Sequence, residues 1–362
     1  MTTPDFTNIL LDKLATHHVG NRLLEEGIVL SERETERGQK TLDLRRETLD
    51  GRQQTEDYLV QYFTAAFKPG ELYRFGHAAE LGMNEIYTIA RRMFANNGSF
   101  IADSQQIARL LYEQSSHPRI KGGELNVALF SDAMLGAETV PAIGIFKSEN
   151  DVPFIRIKEK EEGYRIDHEF GFELKGIDKG CIIFNTEEAD GYRVVIVDNL
   201  NKGAEAVYWK NDFLQVAPVG DEYFQTSQFM GMTKNYVVKQ LAEDFEVTKA
   251  DKIDLLNRSV EYFKMHGNFE KTQFENEVFQ DDRMIGSFRS FNDSYQSANQ
   301  AEMWDSFEIS PEAVKKQARG FKSVLKLDKN FHIYIHGDRE LIERGKEADG
   351  RKFYKLYYDT ES

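Results

Sequence analysis

Residue types able to do chemistry are concentrated in a few short stretches. Glu173-Leu174-Lys175, with Asp151 upstream, carries the side chains of a metal-dependent nuclease. In such a site carboxylates hold a divalent ion and a lysine stabilises charge during phosphodiester hydrolysis. The pattern is short, and an ordinary strand with exposed charges is the simpler reading. His332 and His336 in HIYIH form a tempting pair. The β-branched Ile333 and Ile335 favour a strand, and four residues along a strand span roughly 13 Å. Two zinc–nitrogen bonds of roughly 2 Å do not bridge that gap. Strand alternation instead turns Ile333 and Ile335 inward and His332, Tyr334 and His336 outward.

The strongest charge pattern closes the chain. Residues 311–358 hold twelve basic and seven acidic residues, whereas the whole chain of 362 residues has a net charge of −15. The segment is therefore +5 and the remainder −20. Basic and aromatic residues interleave in RKFYKLYY, a combination that can contact phosphates and stack on exposed bases. Lys315, Lys316, Arg319, Lys322, Lys326, Lys329, Arg351, Lys352 and Lys355 are the candidate DNA-binding residues. A solvated face of a small β-unit would have the same composition.

Other chemistries lack a signature. There is no GxxxxGK[ST], no GxGxxG after a strand, no GxSxG and no HExxH. Ala189 breaks the oxygen-ligand series that a calcium loop would need before Gly191. Cys181, the single cysteine, allows neither an internal disulfide nor a cysteine-based zinc site, and its apolar neighbours suggest a buried strand position. No catalytic residue, metal or cofactor is expected. Net acidity disfavours bulk-charge binding to nucleic acid or anionic membrane, so any polyanion must meet a local basic patch. A mean hydropathy of −0.56 and the lack of a long apolar run argue against a membrane span. The start, MTTPDFTNILLDKL, has no signal-peptide character, which suggests a cytoplasmic protein.

The elements that must position these residues follow from hydrophobic period. Tyr58, Leu59, Tyr62, Phe63 and Phe67, then Ile86, Ile89, Ala90, Met93 and Phe94, recur at helical spacing. Asp103 with Gln106 resembles a capping box ahead of Ile107, Leu110 and Leu111. Between about 122 and 218 the period becomes two, with hairpins expected around Glu162-Gly163 and Asp190-Gly191. From about 222 to 320 helical spacing returns, with starts at Thr248/Asp251 and Ser310-Pro311-Glu312. VLKL, HIYIH, ELIER and KFYKLYY close the chain as short strands, with Ala348-Asp349-Gly350-Arg351 as a hairpin turn. The fold class is α+β. A domain of helices and a mainly antiparallel sheet covers 1–218, and a helical domain ending in a small β-meander covers 219–362.

The chain resembles the bacterial NdpA/YejK-type nucleoid-associated protein family. The resemblance is carried by ELNVALFSDAMLGAETVPAIGIFKSEN, by VIVDNLNKGAEAVYWKNDFL over Val195–Leu214, by FMGMTKNYV and by FKSVLKLDKNFHIYIHGDRELIERG. It spans most of the chain in order and weakens over residues 20–80. It implies a cytoplasmic, nucleoid-located, non-enzymatic protein that binds DNA and partner proteins, topoisomerases among them. The DNA-binding residues named above come from the charge pattern, since no residue-level DNA motif accompanies the resemblance. An adaptor recruited to the nucleoid by a protein partner, and a nuclease using Asp151, Glu173 and Lys175, are the alternatives. A homo-oligomer is compatible with the sequence.

Overall fold

The computed structural model describes residues 3–36, 49–160, 163–200, 208–299, 302–321, 324–335 and 341–360. The fold is α+β, and the chain divides into two compact units, Met1–Val219 and Gly220–Ser362. In the first unit the strands are β1 (Pro4–Asp5), β2 (Leu10–Val19), β3 (Ile28–Val29), β4 (Thr35–Glu36), β5 (Tyr73–Phe75), β6 (Gly123–Leu135), β7 (Glu138–Ser148), β8 (Val152–Lys160), β9 (Gly163–Gly171), β10 (Lys179–Phe184), β11 (Arg193–Asp198) and β12 (Val216–Pro218). Its helices are α1 (Leu49–Thr64), α2 (Glu85–Ala95) and α3 (Phe100–Gln114).

Ten of these strands form one antiparallel sheet, in the order β12-β5-β11-β10-β7-β6-β2-β3, with β1 on β6 and β4 on β2. Its central strands are apolar at nearly every position because both faces are covered. Leu125, Val127, Ile143, Ile145, Cys181 and Ile183 pack with Ile89, Met93, Ile107 and Leu111 of α2 and α3. The alternate residues Ala128, Phe130, Ala142, Phe146, Ile182 and Phe184 pack with Tyr62 and Phe63 of α1. Alternation thus sorts one continuous apolar strand between two cores. Burial pushes the Cys181 thiol well above its usual range. Gly191, between β10 and β11, adopts a φ of +92°, and a Cβ there would stand 2.3 Å from the Phe75 carbonyl oxygen. Only glycine fits that turn without strain.

Two local expectations change. Asp103 does not cap a helix. A 3-10 turn carries α2 directly into α3, which starts at Phe100, so Asp103 lies inside the first turn. There its buried carboxylate accepts from Arg92 (2.6 Å) and from the Ser99 hydroxyl (2.7 Å). Tyr58 is exposed rather than part of the α1 core face, and its hydroxyl accepts from Gln54 Nε2.

His17 on β2 is buried and neutral. The Ser31 N–H donates to its Nδ1 (3.0 Å), so Nε2 carries the proton and donates to Ser104 Oγ (3.1 Å). Ser104 in turn donates to the Ile101 carbonyl. Burial, reinforced by the Arg109 charge, lowers the imidazole pKa from 6.5 to about 4. Between those values the unfolded chain binds a proton that the folded one refuses, so stability falls as pH drops through that window. We expect urea unfolding to show wild type losing stability relative to His17→Gln as pH falls from about 6.5 to about 4, with a constant difference above it. A difference that stays constant across the window would contradict a neutral His17.

The second unit contains α4 (Glu222–Asn235), α5 (Leu241–Asp244), α6 (Lys249–Met265), α7 (Lys271–Val278), α8 (Asp282–Asn299) and α9 (Pro311–Ala318). Its strands are β13 (Asn268–Glu270), β14 (Ser306–Glu308), β15 (Val324–Leu327), β16 (Phe331–Tyr334), β17 (Ile342–Lys346) and β18 (Lys352–Leu356). A π-helical stretch, Tyr236–Gln240, joins α4 to α5. The helices close around an aromatic core that includes Phe229, Tyr236, Phe263, Phe269, Phe274, Phe279 and Phe288. Helix α6 starts with a reciprocal capping box: the Thr248 N–H donates to Asp251 (2.7 Å) and the Asp251 N–H to Thr248 Oγ1 (3.2 Å). The terminal strands pair antiparallel as β15–β16 and β17–β18. A small cluster of Leu325, Ile335 and Ile342 with Ile253 anchors both hairpins to α6, and Asn257 donates to the Ile335 carbonyl.

Candidate nucleic-acid interface

Helix α9 begins at Ser310, whose Oγ accepts from the Ala313 N–H, with Pro311 in the first turn. Ala313 and Val314 are buried, which leaves Lys315 and Lys316 exposed, and Arg319 is exposed just beyond the helix. Lys315 and Arg319, four apart, share a side, with Lys316 flanking it. The Lys316 ammonium sits 5.7 Å from the Tyr223 ring centroid. These cations also lie at the negative end of the helix dipole, a structural reason for their presence. Lys322 and His336 lie outside the described residues.

On the β15–β16 hairpin, Leu325 pairs with Ile333 toward the α6 cluster, and Lys326 pairs with His332 on the exposed side. Lys329 is exposed in the turn. Five exposed aromatics, Phe331, Tyr334, Phe353, Tyr357 and Tyr358, lie on or beside the terminal strands.

The last hairpin separates the cations that the sequence places side by side. Arg351 is bound within its own turn, to Asp349 (2.6 Å) and Glu347 (3.1 Å). Its backbone N–H, then its guanidinium, hold the Asp349 carboxyl below the ordinary range. Lys352 and Lys355 are three residues apart on one strand and so face opposite sides. Lys355 opposes Glu343, with 3.7 Å between their charged atoms, and lies over the Tyr357 ring. On that side the Phe353 ring covers Gly345, where a Cβ would be 2.2 Å away.

Lys352 instead stands directly opposite Lys346, and Arg344 lies two residues before Lys346 on the same face. That face is rooted by Ile342 and Tyr354 in the α6 cluster. Lys346 and Lys352 are exposed, and among the described residues neither they nor Arg344 have a carboxylate within ion-pair distance. Like charges directly opposite on paired strands repel. Charge density along the chain does not single out Arg344 and Lys346. The signal was available in the Ala348–Arg351 turn, which sets Lys346 against Lys352 once strand register is counted outward from it.

The interior of the first unit contains the contrasting case. Lys147 of β7 and Lys179 of β10 are also direct cross-strand neighbours, both buried. There Glu149 bridges them, with 3.1 Å to each ammonium, and Lys147 also donates to the Lys121 carbonyl (2.6 Å). Asp198 opposes Lys179 across β11, at 3.9 Å. Burial lowers the Lys147 pKa, an effect the Glu149 charge offsets. Among the described residues the fold supplies a counter-ion to its enclosed lysine pair and none to the exposed one.

The nuclease-like residues lie on exposed segments flanking the β8–β9 hairpin. Glu173 and Lys175 lie in the turn after β9 rather than in a strand, exposed and paired with each other at 3.1 Å. A carboxylate engaged by its own neighbouring lysine is a weak metal ligand. Asp151 is exposed at the start of β8. Among the described residues no group of three or more His, Cys, Asp or Glu side chains could hold a metal ion. No helix among them is long and apolar enough to cross a membrane.

A family model described as nucleoid-associated protein YejK matches residues 29–359. No curated protein matches the chain.

Proposed function

The chain belongs to the nucleoid-associated protein YejK family, and on that premise we propose that it is a non-enzymatic protein that binds DNA directly through the cationic face of its second unit. The observation that carries this reading is the Lys346–Lys352 pair with Arg344 beside it. A cross-strand pair of like charges, here with no counter-ion among the described residues, is relieved when a polyanion lies over it. Lys315, Lys316 and Arg319, with Lys326 and Lys329, add accessible positive charge in the same unit. Phosphate contacts of this kind position a duplex without reading its sequence. The net charge of −15 argues that contact is confined to such a patch.

A second reading is recruitment to the nucleoid by a partner protein such as a topoisomerase. It is favoured by the local neutralisation of Arg351 and Lys355, which removes charge from the patch.

The test is a gel-shift titration of the purified protein at several salt concentrations, with and without magnesium. We expect binding without any other protein, with log affinity falling linearly against log salt, and an intact DNA product in magnesium. Association that requires a second protein would favour the adaptor. Magnesium-dependent cleavage that disappears in Glu173→Ala would favour the nuclease.

A further inference from the structure

Strands β8 and β9 pair with each other and with no other strand among the described residues. They form an excursion between β7 and β10, which are direct neighbours in the main sheet. At nine residues per strand the arm is roughly 30 Å long. Its register places Pro153, Ile155, Ile157 and Glu159 opposite Phe170, His168, Ile166 and Tyr164. Alternation puts these eight residues on one face. Ile155, Ile157, Tyr164, Ile166 and Phe170 are each 60–74% exposed. The reverse face has Phe154 at its root and is charged beyond it, with Arg156–Glu169 (3.0 Å) and Arg165–Asp167 (2.8 Å) paired and Lys158 opposite Arg165.

We propose that this arm is a dimerisation element whose apolar face packs on the same face of a second copy of the chain. An isolated two-stranded hairpin is marginal in water and needs a covering layer. The cover must be present whenever the chain is folded, which a second copy satisfies. The area fits as well. At roughly 100 Å² of exposed surface per large side chain, five on each arm amount to about 1,000 Å² for the pair, the scale of a specific interface.

The charge pattern selects the occupant. The apolar face carries no lysine or arginine, so it does not suit nucleic acid. Glu159 at its tip and the net charge of −15 oppose an anionic lipid surface. The face is also complementary to itself under a two-fold axis. Antiparallel overlay sets the Ile157–Ile166 row of one arm over the Ile155–His168 row of the other. Tyr164 at each tip then meets Pro153 and Phe170 at the partner's root.

Light scattering or sedimentation of the full chain at micromolar concentration tests this. We expect a dimer whose dissociation constant rises roughly 100-fold in Ile157→Asp and in Ile166→Asp, because each buries an unpaired charge. Lys158→Glu, on the reverse face, should leave the dimer intact, and circular dichroism should show the main sheet and the helices retained in all variants. Mixing Ile157→Asp chains with Ile155→Lys chains should restore association, since position 157 of one arm lies over the 155 row of the other and opposite charges then meet. A monomeric wild type, or a dimer indifferent to both aspartate variants, overturns the proposal. A dimer lost in the variants but not restored by mixing also overturns it, because the arm would then be seated on a different surface.

Discussion

Replacing Arg344, Lys346 and Lys352 together with glutamate is expected to weaken duplex DNA binding on the order of 100-fold near 0.1 M salt. Each phosphate that goes unneutralised should flatten the log–log salt slope by about 0.9, so three would flatten it by about 2.7. The effect should be uniform across DNA sequences, as expected for backbone contacts. The same exchange at Lys315, Lys316 and Arg319 should also weaken binding and flatten the slope, but it additionally places acids at the negative end of α9. Its folded state therefore needs its own check by circular dichroism. Lys355→Glu should have little effect, since that lysine faces the other side of the hairpin beside Glu343. None of the hairpin substitutions is at a buried position, so loss of binding should not come from loss of the fold. A folded hairpin variant with unchanged affinity and slope would exclude this face as the DNA-binding surface. If the α9 variant were also unchanged, recruitment through a partner would become the better reading.

The second large effect is on stability. Glu149→Gln should destabilise the first unit by about 3–5 kcal/mol, the range for breaking a buried ion pair by removing one partner. The substitution preserves volume and some hydrogen bonding while leaving Lys147 and Lys179 side by side without their shared counter-ion. Lys147→Met with Glu149 intact removes one member of the repelling pair and should cost less, because Glu149 retains Lys179. The check is urea unfolding followed through Trp209, which is buried in the first unit, against a probe of the second. Two compact units make a single transition an unsafe assumption. A loss below about 1 kcal/mol, the scale of a surface pair, would mean that water reaches and screens the cluster.

The two lysine pairs also show where sequence reading stops. Alternation was legible in the sequence. It gives Ile143, Ile145 and Lys147 one side of a strand, and Lys352 and Lys355 opposite sides. Caps and turns were legible too, because Thr248, Asp251, Ser310, Pro311 and the Ala348–Arg351 turn act over a few residues. So was the α+β class, since it depends on the change of hydrophobic period, and so was the family, whose matching stretches are spread along the chain. Asp103 misled because its spacing to Gln106 mimics a cap, whereas the turn that actually starts α3 lies earlier at residues 97–99.

By itself, then, the sequence determined the family, the fold class and the concentration of positive charge near the end of the chain. Tertiary structure decided which of those charges have partners. Lys147 and Lys179 are far apart in sequence and become neighbours only when β7 pairs with β10, with Glu149 carried to both by the same strand end. Lys346 and Lys352 become neighbours through hairpin register, and Arg351 leaves the patch because its own turn folds two carboxylates onto it. Counting charges along a chain measures their density. Ion-pair energy depends on separation and solvent access, which only folding sets.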